Sequence, residues 1–265
     1  MKELNKMMKP TDEVNGAIKQ RLMDLQKDKI NDGLYDCEKC GNRGFQLLYI
    51  DDELVYEKCQ CYEIRNARRK MRDLGLLRFL DEHNSFKNFK ATTDWQRKIK
   101  KTAVEFVDDP HNKFFYIGGQ VGSGKTILCA TILSQLLEKY YPSNYDYIIW
   151  GDVIRTLAFD DKNKQEINYY KNCDVLFIDD FLRNCARNDL NIQNYEREIA
   201  MELINYRYLN KKITIISSEL YYQELEQIDD AIASRIRENA DDGKFVLSIK
   251  RDKERNIRTN KNVLI

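Results

Sequence analysis

"KFFYIGGQVGSGKTILCA", Lys113 to Ala130, decides the fold. An apolar, aromatic run, "FFYI", reads as a buried strand. Four glycines follow within seven residues, and a lysine and a threonine then open the helix-period stretch "KTILCATILSQLLEKY". Gly119 to Thr126 fits G-x-x-x-x-G-K-[ST] in the required strand-loop-helix context. The glycines let successive N–H groups face a phosphate, and the helix turns its positive end to the same anion. The expected nucleotide-binding set is therefore Gly119, Gln120, Val121, Gly122, Ser123, Gly124, Lys125, Thr126 and Ile127. Lys125 is expected to reach the β/γ-phosphates of a nucleoside triphosphate, with the Thr126 hydroxyl on Mg²⁺.

Working outward, "VLFIDD" is a buried strand that ends in Asp179 and Asp180, two carboxylates at the carboxyl edge of a sheet beside that loop. Asp179 is expected to hold Mg²⁺ and Asp180 to polarise the attacking water, a hydrolase arrangement for ATP. "ITIISSE" is a further strand with a polar tip; in a sheet of this type it lies between the other two, which makes Ser217, Ser218 and Glu219 candidates for touching the terminal phosphate. With "YDYIIW" and "KFVLSI" there are five such β-rich segments from Phe86 onward, alternating with helix-period stretches. That alternation implies a parallel sheet covered by helices. Along "DDAIASRIRE" and the residue before it, a helical stripe of Ile228, Ala231, Ile232 and Ile236 is expected to face inward, leaving Arg235 and Arg237 more exposed.

Upstream the chain changes character. Residues 11–30 carry apolar positions at helical spacing and read as a helix capped by Thr11. Cys37-x2-Cys40 and Cys59-x-Cys61 bracket "FQLLYI" and "ELVYEK", a hairpin expected to turn at Asp51-Asp52. Four thiolates from two knuckles suffice for a closed tetrahedral Zn²⁺ site, with Gly41 and Gly44 permitting the tight turn. Cys129 and Cys173 read as packing residues, and Cys185 stands in a polar loop. "CYEIRNARRKMRDLGLLRFL" reads as an amphipathic basic helix with Ile64, Ala67, Met71, Leu74 and Leu77 on its stripe, and its arginines, Arg65 and Arg68 among them, mostly off it. His83 and His111 fall in polar linker contexts. The expected organisation is an N-terminal zinc-binding module over 1–80, an ATPase domain over 81–250 and a basic tail over 251–265.

Bulk properties narrow the function classes. Lys+Arg 44 against Asp+Glu 43 gives a net charge of +1, so nucleic-acid contact must come from local clustering such as the tail "KRDKERNIRTNK". No apolar run approaches the roughly 18 residues that span a bilayer, and the start "MKELNKMMKPTDEV" has no apolar signal region, so a cytoplasmic protein with reduced thiols is expected.

"GGQVGSGKT", "VLFIDDF", "TIISSE" and "ASRIRE", in that order, resemble an AAA+ ATPase, and closely the DnaC/DnaI-like helicase-loader group, over about residues 86 to 250. The resemblance implies a three-layer α/β phosphate-loop fold with little or no C-terminal lid, since only 16 residues, 250 to 265, follow "KFVLSI". It makes Arg235 the finger that reaches a neighbouring subunit's γ-phosphate, places "SFKNF" beside the adenine, and leaves Arg255 as the candidate second-sensor arginine. Glu219 stands where loaders commonly carry asparagine, so Ser218 is the candidate sensor in its place. The Cys-rich N-terminal module is similar to the part of DnaI-like and phage-encoded loaders that docks on the replicative ring helicase. The implied activity is ATP-dependent loading of that helicase onto single-stranded DNA by a homo-oligomer. An IstB-like ATPase of a transposition system and a non-catalytic nucleotide-sensing zinc adaptor are the alternatives.

Overall fold

The five apolar segments from "FFYI" to "FVLSI" each form a strand in the computed structural model. It describes residues 24, 29–50, 53–73, 75, 77, 86, 91–110, 113–140, 142–159, 164–187, 190 and 192–257. The chain divides into two compact units, 1–70 and 71–265. Of the expected features, most of the helix at 11–30, the turn at Asp51-Asp52, His83, His111 and the last eight residues of the tail lie outside the described residues.

In the first unit, β1 (Phe45–Ile50) pairs antiparallel with β2 (Glu53–Lys58), Phe45 opposite Lys58 and Ile50 opposite Glu53. Helix α1 (Cys61–Asp73) follows. Ile64 and Met71 are buried as the stripe requires, but so are Arg65 and Arg68, which were expected off it. The reason lies far off in sequence: Arg65 pairs with Asp32 and donates to the Tyr35 carbonyl. Lys29 and Ile30, at the end of the expected first helix, are not helical. The cysteine knuckle claims the Ile30 backbone, whose N–H donates to Gly41 O (3.1 Å) and whose carbonyl accepts from Asn42 Nδ2 (2.7 Å).

In the second unit, β3 (Phe114–Gly119), β4 (Tyr145–Ile149), β5 (Val175–Asp179), β6 (Ile213–Ser217) and β7 (Val246–Ile249) form one parallel sheet in the order β4-β5-β6-β3-β7. Strands β3 and β5 are buried along their whole length, as near-continuous apolar runs are when helices cover both faces. The flanking helices are α2 (Asp94–Asp108), α3 (Lys125–Tyr140), α4 (Trp150–Phe159), α5 (Lys164–Asn172), α6 (Arg183–Arg187), α7 (Asn194–Leu209), α8 (Tyr222–Ile228) and α9 (Asp230–Asn239). Phe106 of α2 packs between Phe115 of β3 and Phe245, with ring centroids 5.3 Å from each, and so anchors that helix to the sheet. Arg207 of α7 is fully buried yet satisfied. It donates to the carbonyls of Tyr170 (2.7 Å), Cys173 (2.9 Å) and Ile213 (2.6 Å) and to Thr214 Oγ1 (2.8 Å). Burial pulls its ionisation down to about 9.

The expected stripe in "DDAIASRIRE" is re-phased. Asp229 breaks α8 from α9, capping α9 with a carboxylate that accepts from Ile232 N at 3.0 Å. The buried positions of α9 are then Ile232, Ala233 and Ile236, while Ala231 is exposed. Cys185 is fully buried, as are Cys129 and Cys173. Among the described residues no helix is long and apolar enough to cross a membrane.

Candidate nucleotide site and cysteine centre

The topology sets three strand ends side by side, β5, β6 and β3, with the phosphate loop rising from β3. Gly119 opens the loop at φ +104, and a Cβ there would stand 2.2 Å from Ile249 O, so glycine is required on two counts. Lys125 is buried, and its Nζ donates to Gly119 O (2.8 Å) and Gln120 O (2.7 Å), a loop folded around its own cation. Burial pulls the Lys125 ammonium below its usual range, against the opposing pull of Glu219, Asp180 and Asp179. Ser123 Oγ donates to Gln120 O (2.8 Å), and Ile127, half-buried in the first turn of α3, offers its carbonyl to Thr131 Oγ1 (2.9 Å). Val121 is exposed at the loop's tip.

Thr126 Oγ1 lies 3.1 Å from both carboxylate oxygens of Asp179, so the two expected Mg²⁺ ligands meet although 53 residues separate them. Asp179 is buried and also receives the hydroxyls of Ser217 and Tyr147 (3.1 Å). Burial holds its carboxyl above the usual range, and the adjoining Asp180 charge adds to that. A carboxylate and a threonine hydroxyl at one end of a phosphate loop form an oxygen donor set suited to Mg²⁺.

Ser217 is the serine of "ISSE" that enters this cluster. Ser218 points away: it is fully buried, its Oγ donates to Phe181 O (2.7 Å) and accepts from Leu220 N (3.1 Å), and its capacity is used within the fold. Asp180 sits at φ +55, and its Oδ2 accepts from Arg183 at 2.7 Å. The same guanidinium lies 3.0 Å from Glu219, an ion pair without an aligned N–H. Glu219 and Asp180 therefore share one cation. Tyr147 of β4 and Ser217 of β6 reach Asp179 of β5, and Arg183 of α6 bridges Asp180 and Glu219, contacts between segments distant in sequence.

Arg235 on α9 is half-buried. Its Nε donates to Asn205 Oδ1 (2.7 Å), its Nη1 to Ala231 O (2.7 Å), and its guanidinium stands 5.9 Å from the Tyr208 ring. Arg237 is exposed. After β7 the chain returns to the phosphate loop. Asp252 N donates to Gln120 Oε1 (2.8 Å), Ile257 N donates to Gly122 O (2.9 Å), and the Asn256 amide covers Gly122 so closely that a Cβ there would lie 2.2 Å from it. Arg251 of the basic tail is taken up by Glu224 and stacks on Tyr221 at 4.4 Å, and Arg255 stands 5.5 Å over the Trp95 ring. Phe86 of "SFKNF" is buried.

In the first unit, the sulfurs of Cys37, Cys40, Cys59 and Cys61 all lie within 4.8 Å of one another, Cys40 to Cys61 at 3.3 Å and Cys37 to Cys59 at 3.8 Å. Zinc–sulfur bonds of about 2.3 Å in a tetrahedron set the sulfurs about 3.8 Å apart, so the cluster fits that ion. Gly44 N–H donates to Cys40 Sγ at 3.3 Å. Burial raises the Cys40 thiol, but this amide and the neighbouring sulfurs outweigh it and bring the thiol down to about 7, which favours a thiolate near neutrality. Asn42, at φ +69 and buried, shapes the turn: its Oδ1 accepts from Cys37 N at 2.7 Å, and its Nδ2 donates to Ile30 O and, at 3.1 Å, to Asp36.

Residues 80–240 match the family model of the bacterial DnaA ATPase domain. The phage-like element PBSX protein XkdC of Bacillus subtilis (strain 168) is 28% identical over 222 residues, covering 78% of this chain and 80% of that protein. Among solved structures, AMPPCP-bound DnaA from Aquifex aeolicus superposes with a TM-score of 0.51 at 19% identity over 67% of this chain; the match spans only 53% of that DnaA. The DnaI crystal structure superposes at 0.50 with 22% identity, over 65% of this chain and 89% of that one. At these identities the structural likenesses establish the AAA+ fold.

Proposed function

Because the chain belongs to the family of bacterial DnaA ATPase domains, we propose that it binds and hydrolyses ATP and uses the cycle to place a replicative ring helicase on single-stranded DNA in the cytoplasm. The observation that carries the reading is the meeting of Thr126 and Asp179 at 3.1 Å beside a loop whose lysine is already buried. Thr126 and Asp179 would hold Mg²⁺, which neutralises phosphate charge when bound. Lys125 exchanges its bonds to Gly119 O and Gln120 O for phosphate oxygens, and the loop's amides and the N-terminus of α3 take the rest of the anion. Asp180 accepts a hydrogen bond from the attacking water and aligns it. Arg235 serves the γ-phosphate of a neighbouring copy in a homo-oligomer.

Cys37, Cys40, Cys59 and Cys61 would hold Zn²⁺, which ties the knuckle to α1 and makes the first unit a rigid docking module for the helicase. The four-cysteine module supports loading over a transposition role. The test is steady-state ATP hydrolysis with and without single-stranded DNA, joined to capture of a hexameric helicase by the tagged chain. Hydrolysis stimulated by DNA together with helicase capture supports the reading. Capture without hydrolysis favours the nucleotide-sensing adaptor, a second reading that rests on the grip of Arg183 on Asp180.

A further inference from the structure

Arg183 stands between two carboxylates at the ends of neighbouring strands. Its Nη1 is 2.7 Å from Asp180 Oδ2 and its Nε 3.0 Å from Glu219 Oε1. The backbone brings it there. Asp180 and Leu182 both adopt left-handed conformations, φ +55 and +53, and Arg183 N closes the turn on Asp180 O at 3.1 Å. A non-glycine residue is strained in this conformation, and strain of this kind persists where the surrounding structure imposes it. The turn folds a guanidinium directly back onto the strand-end carboxylate. Glu219 and Asp180 also lead the charges that act on the loop lysine. Asp179, Asp180 and Glu219 thus set three carboxylates against two cations, Lys125 and Arg183, where a polyanion is to bind.

Resting on the nucleotide reading above, we propose that Arg183 is a γ-phosphate-binding residue that holds Asp180 until a triphosphate arrives. Without nucleotide the guanidinium pairs with Asp180 and Glu219 at once and offsets one of their two charges. A γ-phosphate carries more charge and more acceptor oxygens than either carboxylate and competes for the same planar fork. When Arg183 turns to the phosphate, Asp180 is released to accept from water, and Glu219 holds the other side of the guanidinium so that it pivots without leaving. A diphosphate ends short of this place and leaves the clamp closed. Arg183 therefore discriminates triphosphate from diphosphate.

The test is titration calorimetry of the full chain with Mg-AMPPCP and with Mg-ADP. Loss of a charge-assisted contact predicts that Arg183→Ala weakens AMPPCP binding about tenfold or more, while ADP binding stays within about twofold. Arg183→Ala combined with Glu219→Gln removes the orphaned repulsion and recovers part of the AMPPCP loss. Arg183→Lys, which keeps the charge but not the fork, falls between wild type and Arg183→Ala; it carries the test if the alanine variant does not fold. Equal weakening of both nucleotides marks a merely structural arginine and overturns the inference, as does no weakening of either. If the wild-type chain binds neither nucleotide, the function reading itself fails, an outcome distinct from wild-type binding with unchanged selectivity.

Discussion

Ser217 on β6 donates its hydroxyl to Asp179 on the neighbouring strand β5, and the same oxygen accepts from Asp180 N at 3.3 Å. One side chain thus fixes both acidic residues at the sheet edge, and it ties strand β6 to the carboxylate proposed to hold Mg²⁺. Ser217→Ala should lower nucleotide affinity and raise the apparent Mg²⁺ requirement for binding, since Asp179 loses a buried donor, an effect of about 1–3 kcal/mol. Ser218→Ala should act on folding stability with nucleotide affinity retained. Mg²⁺-dependent binding isotherms and thermal melts of the two variants separate these outcomes.

Lys125→Ala should weaken nucleotide binding, whereas Asp180→Asn should keep binding and slow hydrolysis by about 10²-fold or more. Only the second removes a group needed in the transition state alone. Wild-type turnover by Asp180→Asn would remove that carboxylate from the mechanism.

The cysteine centre predicts near-stoichiometric zinc in the purified chain. Cys40→Ser opens a closed site, and since structural zinc contributes about 10 kcal/mol or more to small modules, the first unit should unfold while nucleotide binding persists. Elemental analysis checks the first statement, and limited proteolysis with nucleotide titration checks the second. Metal-free wild type would sink both.

Arg235→Ala should bind ATP normally and lose hydrolysis by about 10³-fold or more if the arginine acts on a neighbouring copy. Mixing Arg235→Ala with Lys125→Ala restores intact interfaces, the first supplying the phosphate loop and the second the arginine. Recovered ATPase activity supports action in trans. No recovery in demonstrated mixed oligomers assigns Arg235 to its bonds with Asn205 and Ala231.

Glu196 is buried against Trp150, accepting from its Nε1 at 2.8 Å. Burial raises its carboxyl above the ordinary value, and the indole hydrogen bond only partly opposes this. An acid whose folded-state value is raised binds more protons folded than unfolded, so its contribution to stability falls as pH rises through that window. Glu196→Gln keeps an acceptor for Trp150 without the charge. Its melting temperature should exceed wild type near pH 8, with the gain vanishing on acidification below the ordinary carboxylate range. A constant offset across pH would contradict the assignment.

The legible parts of this molecule are those in which chemistry and spacing are local. The phosphate loop, the acidic strand end and the paired cysteine knuckles each declare themselves within a few residues, and the five strands follow from apolar runs too short for helices. What sequence could not show depends on phase or on distant partners. Ser217 and Ser218 are adjacent and chemically alike, and only the strand's alternation decides which faces Asp179. The stripe of α9 slips because Asp229 restarts the helix. Arg65 is drawn into the interior by Asp32, 33 residues away, and Tyr147 reaches Asp179 across 32. Arg183 carries no motif, and its meaning comes from a left-handed turn that composition does not announce.

The return of residues 252–257 onto Gln120 and Gly122 also bears on how tightly the site can hold a ligand. A glycine-rich loop with no outside support would sample many shapes when empty, and ordering it would be charged against every binding event. Here strand β7's sequel pins that loop at its second and fourth residues, so much of the ordering is completed when the chain folds. Gly122→Ala should then act twice, straining a residue at φ +73 and pushing Asn256 off the loop. A change confined to residues 252–257 should loosen nucleotide binding through entropy alone, without removing an atom that touches the phosphate.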